Sequence, residues 1–341
     1  MDKNIKYLIE EIINFNPIDY EDEENELISN NDINKISYKY FPKTFQELKN
    51  LVINRFIESP EEPYLSDICT TYITDMQYLF DRLYMYVQNG RELKRLDLSA
   101  WDVSNVKNMR QMFSRCESLE ELNISGWNTS NVTNMSCMFS DCKSLVKLDL
   151  SDFDTSKVTD MSQMFEECKS LTELNISHFD TSNVENLNGM FRFCNSLKEL
   201  DLSNFDTSKV TRCIVLFDKC IQLEKINLAG WNTKSIEDMA CMFSGCKSLK
   251  ELDLSNFNTE SVTNISGMFN GCEMLTELDL SNFDTSKIKA MDYTFDNCVS
   301  LRRLNLTGWK PFNFKKLNNK SKFKDLKIIW NKNYIEEIND E

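Results

Sequence analysis

The sequence is poor in the residues that mark many enzymes. Its 341 residues include one histidine, His178, and only eight glycines. With one histidine, most acid–base sites working near neutral pH would have to rely on carboxylates. The glycines form neither a G-x-G-x-x-G motif nor a Walker-type phosphate loop. We therefore expect no enzyme activity, no catalytic residue and no cofactor.

Long apolar runs are also missing. No run approaches 18 consecutive apolar residues, so we expect no membrane insertion. Residues 1–16, MDKNIKYLIEEIINFN, space isoleucine and leucine as a helix does, with acids between them, and predict a helix over residues 3–15. This stretch lacks the basic, apolar and small-residue regions of a signal peptide, and no wall anchor is recognisable. The helix could serve as a cap or bind a partner.

The charge is strongly negative but unevenly placed. The net charge is −15, made up of −9 for residues 1–92, −11 for 93–300 and +5 for 301–341. An acidic body disfavours nucleic acid and anionic membrane as partners. The basic stretch KPFNFKKLNNKSKFKDLK (310–327) is either a solvated cap or a contact for an anion.

A 26-residue period runs through most of the chain. Eight full repeats span residues 93–300 without insertion or deletion, and a truncated ninth follows. The repeats begin at Leu93, Leu119, Leu145, Leu171, Leu197, Leu223, Leu249, Leu275 and Leu301. One such unit cannot bury its own apolar face, whereas stacked copies form a continuous core. All five prolines lie outside the full repeats, as expected where strands need their N–H donors.

Each repeat has two halves. In LTELNISHFDTSNVENLNGMFRFCNS (171–196), the first half alternates apolar and polar residues and predicts a short strand with Leu174 and Ile176 inward. The polar turn DTS follows. Apolar residues then recur at three- and four-residue intervals, which predicts a short helix; these are Val184, Leu187, Met190, Phe191 and Cys194.

We divide the chain into four parts. Residues 1–63 form an N-terminal helical and acidic region, in which YEDEENELISNNDIN (20–34) is a loop and Thr44-x-x-Glu47 is a capping box before a helix. Residues 64–92 form a capping half-repeat, 93–310 the repeats, and 311–341 a C-terminal cap with a basic tail. Phe323, Leu326 and Ile328 restore the strand pattern 22 residues after Leu301 and predict a final irregular strand.

Twelve cysteines invite three interpretations. Eight lie at one phase of the repeat, which favours a column of small buried side chains; they are Cys116, Cys142, Cys168, Cys194, Cys220, Cys246, Cys272 and Cys298. A disulfide ladder would need side chains that point at each other, and a metal site would need tetrahedral spacing that no C-x-x-C supplies. We expect free thiols and no metal. Cys213 stands in a methionine column and should be buried.

The aromatic that follows each strand varies with the residue before it. Tryptophan follows alanine or glycine, as in Gly230–Trp231, and phenylalanine follows a larger residue, as in His178–Phe179. Close packing demands such compensation, so we expect an enclosed aromatic column. His178 then fills a variable turn position as an exposed residue. The pairing of Cys168 with His178 as an active site is disfavoured, because Cys168 belongs to the inward column.

The outward strand positions carry the candidate site. One column mixes arginine, lysine and glutamate, and the next alternates aspartate with asparagine, which reduces repulsion between carboxylates stacked every ~5 Å. A soluble polar face and a ligand face both explain this pattern. The predicted ligand residues are Glu173, Asn175, Glu199, Asp201, Lys225, Glu251, Asp253, Glu277 and Asp279. The acidic bias predicts a basic or mixed protein partner.

Segments such as LDLSNFDTSKV (200–210) and MFEECKSLTEL (164–174) resemble the BspA-like leucine-rich repeat family of bacterial surface proteins. The resemblance covers roughly residues 65–310. It implies a leucine-rich-repeat solenoid, and with the pattern above we expect an α/β solenoid of short parallel strands and short helices with a helical N-terminal region. Solenoids commonly bind ligands on the concave strand surface, so we expect binding there. The resemblance also implies adhesion or host-protein binding at the cell surface, with no catalytic residues. A cytoplasmic scaffold or regulator that docks through residues 3–15 is the alternative. We expect a monomer.

Overall fold

The computed structural model describes residues 38–86, 92–309, 326–330 and 334–338. The predicted helix 3–15, the acidic loop 20–34 and most of the basic tail lie outside these residues. The helices are α1 (Phe45–Glu58) and a 3-10 turn (Leu83–Tyr86). The strands are β1 (Arg95–Asp97), β2 (Glu121–Asn123), β3 (Lys147–Asp149), β4 (Glu173–Asn175), β5 (Glu199–Asp201), β6 (Lys225–Asn227), β7 (Glu277–Asp279), β8 (Arg303–Asn305), β9 (Leu326–Trp330) and β10 (Tyr334–Ile338).

Helix α1 begins where the capping box predicts. The hydroxyl of Thr44 accepts a hydrogen bond from Glu47 N at 3.2 Å, and the Glu47 carboxylate accepts from Lys43 N at 2.8 Å. These bonds satisfy N–H groups that a helix start leaves without partners. The helix buries Leu48, Val52 and other apolar side chains in the same core as the repeats.

The repeats form successive coils of a solenoid, numbered 1 to 9 from Leu93 to Leu301. The coils stack in sequence order, and their strands pair in parallel with a 26-residue register, as in Leu96 with Leu122. The pairing joins β1 with β2, β3 with β4, β5 with β6, and β7 with β8. Coil 7, which contains Glu251–Asp253, has no strand. The strand side is therefore joined two coils at a time.

The short helix predicted in each repeat is wrong. Those residues form consecutive tight turns instead, since Met112 N donates to Met109 O and Cys116 N to Phe113 O. Gln111 (φ 54°) and Arg115 (φ 60°) supply the left-handed third position of two of these turns. The N–H groups of Gln111, Phe113 and Arg115 point to the next coil and donate to carbonyls of Ser136, Met138 and Ser140 at 2.8–2.9 Å.

The coil spacing explains why turns replace helices. Successive phenylalanine rings on this turn side, from Phe80 to Phe295, stack with centroids 5.2–5.9 Å apart. An α-helix with its side chains is ~10 Å wide, so helices could not stack at that interval. Turns keep the inward spacing that the sequence shows and fit the narrow coil. We predicted a concave strand face, which would need helices on the opposite side that are wider than the strands. The described coils have turns there instead.

The cysteine column is confirmed as a buried set of thiols. All twelve cysteines are free, and ten of them are buried, Cys213 included. Each thiol of the column donates to a phenylalanine carbonyl of the preceding coil; Cys168 Sγ, for instance, lies 3.1 Å from Phe139 O. Burial raises the pKa of the Cys168 thiol well above its ordinary value, so this thiol stays protonated.

The final strand forms, but in another register. Strand β9 pairs in parallel with β8, matching Leu304 with Ile328, a step of 24 residues where 22 was predicted. Since side chains alternate along a strand, a shift of two residues keeps Leu326 and Ile328 facing inward, and both are buried. Strand β10 adds an antiparallel edge to β9.

Candidate binding surface

The outward side chains of the strands lie where the sequence predicts. All nine candidate ligand residues, from Glu173 to Asp279, are exposed. Between them, the central strand leucines face the core, and Leu200 is 6 % exposed. We call the exposed surface of coils 1–9 on this side the strand face.

Charges on the strand face form ion pairs across three of the four ladders between coils, β1–β2, β3–β4 and β7–β8. Arg95 pairs with Glu121 at 3.4 Å, and Lys147 with Glu173 at 2.6 Å. The alternation of aspartate and asparagine has a direct counterpart, because Asn123 Nδ2 donates to Asp97 Oδ1 at 3.1 Å. Such pairs reduce repulsion but hold each side chain weakly, since exposed ion pairs contribute little stability.

The aspartates of the strand face also close turns. The carboxylate of Asp201 accepts from Ser203 N at 2.9 Å, and that of Asp253 accepts from Ser255 N at 2.9 Å. Hydrogen bonds from the Ser203 side chain and backbone lower the pKa of Asp201, and the backbone bond from Ser255 leads the same effect on the pKa of Asp253. These carboxylates are therefore ionised at neutral pH.

A groove interrupts the strand face around coil 7. It has a volume of about 620 Å³, and its floor contains Ile226, Leu252 and Leu278. Its walls carry the charged and polar groups Lys225, Glu251, Asp253, Glu277, Asp279, Arg303 and Asn305. Five of the nine predicted ligand residues thus lie around one depression. The other four, in β4 and β5, lie outside it.

The sequence marks the position of this groove by a break in the alternation of aspartate and asparagine. The second outward column alternates aspartate and asparagine until coil 7, where Asp253 is followed by Asp279. No amide of coil 8 can donate to Asp253 as Asn123 donates to Asp97. The break in alternation coincides with the coil that forms no strand.

His178 and Cys168 are not brought together as a reactive pair. His178 is exposed as predicted, and its ring lies edge-on to Phe179 with centroids 5.3 Å apart. Its Nε2 lies 2.9 Å from Leu150 O and donates to that carbonyl in the Nε2–H tautomer. Cys168 lies in the core with its thiol directed at Phe139 O.

The hydrogen bond from His178 is one case of a donor that the aromatic column supplies in two ways, from the aromatic residue itself or from the residue before it. In tryptophan coils, the indole N–H donates to the equivalent carbonyl, as Trp231 Nε1 does to Leu202 O at 3.1 Å. In four of the five phenylalanine coils, the preceding residue supplies the donor, as Asn256 Nδ2 does to Leu228 O at 3.0 Å. In coil 3 the carboxylate of Asp152 instead accepts from Gly126 N. The predicted packing rule also holds at Gly230, where a Cβ would lie 2.1 Å from Ser203 O. The compensation is therefore one of hydrogen bonding as well as volume.

Two absences hold for the described part of the chain. No helix there is long and apolar enough to cross a membrane. No group of three or more histidine, cysteine, aspartate or glutamate side chains is arranged there to hold a metal ion.

Sequence comparison identifies one family. The model of the family described as "Mycoplasma protein of unknown function, DUF285" matches residues 44–151, 74–174, 143–226 and 215–333. Together these overlapping matches span α1, all of the coils and β9. No curated protein matches the sequence.

Several solved bacterial structures are similar to the chain. A leucine-rich repeat protein of T. pallidum is 20% identical, with 55% of this chain and 73% of that chain covered and a TM-score of 0.35. A leucine-rich repeat protein from Bacteroides ovatus is 18% identical, with 77% of this chain and 76% of that chain covered and a TM-score of 0.34. A leucine-rich cell surface protein of Faecalibacterium prausnitzii is 18% identical, with 73% and 80% covered and a TM-score of 0.32.

Proposed function

The chain belongs to the family described as "Mycoplasma protein of unknown function, DUF285", and its coils resemble BspA-like leucine-rich repeats; from this premise we propose that it is a non-enzymatic protein-binding module that engages its partner through the strand face. One observation carries the proposal. The inward positions repeat from coil to coil, whereas the first outward column mixes arginine, lysine and glutamate. Such positions can change to suit a partner without disturbing the core.

The charge of the strand face selects the partner class. From coil 4 to coil 8 the two outward columns carry seven carboxylates and one cation, Lys225. Complementary potentials favour a partner with a basic or mixed surface. The family resemblance adds adhesion and a host or matrix protein at the cell surface as the finer form of this proposal.

Charge reversal on the two sides of the array tests the proposal. The strand-face variant is Glu199→Lys, Glu251→Lys, Glu277→Lys. The matched control is Glu185→Lys, Glu237→Lys, Asp292→Lys, which makes the same charge change at exposed positions elsewhere on the coils. None of these six side chains closes a turn as the strand-face aspartates do.

Binding to immobilised matrix proteins and endogenous proteins is measured for the wild type and both variants. We expect the strand-face variant to lose the wild-type partner and the control to keep it, with unchanged circular dichroism in both. Equal loss in both variants, or no loss in either, would remove the strand face as the binding site.

A further inference from the structure

The groove at coil 7 differs from the rest of the strand face in its backbone. Strand ladders join coil 6 to coil 5 and coil 8 to coil 9, but neither neighbour pairs with Glu251–Asp253. The N–H and C=O groups of Glu251, Leu252 and Asp253 make no backbone hydrogen bond to the described residues. Backbone groups almost always find a partner in protein or water, so in the free protein these groups are left to water.

The floor of the groove is apolar. Ile226 and Leu252 are partly exposed, whereas Leu278 and Leu304 in the paired strands that follow are 2% and 1% exposed. Leu122 and Leu174 are partly exposed as well, but only Ile226 and Leu252 lie on neighbouring coils and so form one apolar surface. The groove therefore offers an occupant apolar surface as well as charge.

The charges around the floor are unbalanced. Four carboxylates, those of Glu251, Asp253, Glu277 and Asp279, face two cations, Lys225 and Arg303. Arg303 lies 3.9 Å from Glu277, but neither Glu251 nor Asp253 forms an ion pair with a described residue. On β3 and β4, by contrast, Lys147 lies 2.6 Å from Glu173.

We propose that this groove binds an extended segment of a partner protein that carries basic residues at alternate positions, preferably arginine. This proposal rests on the proposed function and deepens it. Outward residues two apart on one coil, such as Glu251 and Asp253, lie ~6.8 Å apart when extended, which matches the side-chain interval of an extended ligand. Arginine has an apolar stem for the floor and a guanidinium fork for carboxylates of adjacent coils.

A blocked synthetic peptide that alternates arginine and threonine serves as the probe. Two further peptides are compared with it: one of the same composition with all arginines at one end, and one with lysine in place of arginine. Binding is measured by fluorescence anisotropy at fixed ionic strength, because surface charge interactions depend on salt. We expect the alternating arginine peptide to bind most tightly.

Two variants localise the binding. Glu251→Gln/Glu277→Gln removes two carboxylates of adjacent coils inside the groove, and Glu173→Gln/Glu199→Gln removes two from adjacent coils of the same column outside it. Since charge-assisted bonds are lost, we expect the first variant to weaken binding by roughly ten- to hundred-fold, and the second by no more than about two-fold, as for screened surface charges. Urea unfolding of both variants checks that the fold is unchanged.

Each other result overturns the inference. Equal weakening by both variants, or equal binding of the two arginine peptides, would mean non-specific attraction to an acidic protein. Absence of peptide binding would remove the groove as a site. The proposed function is tested separately. It is contradicted if no protein partner depends on the strand face. It stands without the groove if a partner binds the strand face and its binding is insensitive to Glu251→Gln/Glu277→Gln.

Discussion

The turn side and the strand side of this solenoid are held together in different ways. On the turn side, bridges run without a break from Asp75 through Asn108 to Ala290, and each coil adds further inter-coil bonds, such as Phe243 N to Met268 O at 2.9 Å. On the strand side, ladders join coils in pairs and leave coil 7 unpaired. The comparison indicates that the turn side and the core carry stability, while the strand side can accommodate an interruption such as the one at coil 7.

The largest expected effect comes from truncating the turn-side core. Phe191 is fully buried and stacks between Phe165 and Phe217 with centroids 5.7 Å from each. Phe191→Ala should reduce the free energy of unfolding by about 3–5 kcal/mol, as expected for a buried phenylalanine. Glu199→Ala on the strand face should change it by no more than ~0.5 kcal/mol. Urea unfolding measures both, and similar losses would erase the distinction between the two sides.

A smaller loss of unfolding free energy should follow from removing a hydrogen-bond donor at the aromatic column. Trp231→Phe removes the indole that donates to Leu202 O, and an unpaired buried carbonyl costs about 1–3 kcal/mol. Adding Gly230→Asn supplies the donor that most phenylalanine coils use, so the double variant should lose less unfolding free energy than the two single variants lose together. Gly230→Asn alone should destabilise, because its Cβ would approach Ser203 O.

A double-mutant cycle measures the coupling between the two positions. A positive coupling between positions 230 and 231 supports the exchange of donors. If the losses of the two single variants simply add in the double variant, the exchange of donors is contradicted.

The smallest effect concerns strain on the turn side. Val215 is β-branched and holds a φ of 52°, a conformation that asparagine tolerates better. Val215→Asn should therefore raise the free energy of unfolding by about 1 kcal/mol, at the low end of the cost of such strain. Gly267, in the same column at φ 63°, provides the control: Gly267→Ala should destabilise, since its Cβ would lie 2.9 Å from Cys241 Sγ. Destabilisation by Val215→Asn would show that the valine side chain outweighs its backbone strain.

The sequence predicts the large features because the period is regular. The coil boundaries, the inward leucines, the buried thiols and the exposed face of Glu173 and Asn175 all follow from positions 26 residues apart. The prediction of a short helix in each repeat was wrong because helices and consecutive turns share the three- and four-residue spacing of apolar residues. Only the width of a coil, set by its stacking distance, distinguishes them.

The details of the site depended on contacts between coils. Pairing of strands two at a time and the opening at coil 7 arise from cross-coil hydrogen bonds that no single repeat encodes. The adjacent Asp253 and Asp279 mark the place in the sequence, but charge pattern alone does not give a groove. The register of β9 could not be predicted either, because a step of 22 or of 24 residues places Ile328 inward equally well.

Hydrogen exchange of single amides tests the central comparison most directly. We expect the amide of Phe243, which donates to coil 7 on the turn side, to exchange slowly, as should its equivalents in other coils. The amides of Glu251, Leu252 and Asp253 should exchange much faster than that of Phe243. Protection of these three amides equal to that of Phe243 would show a continuous strand ladder and contradict the account.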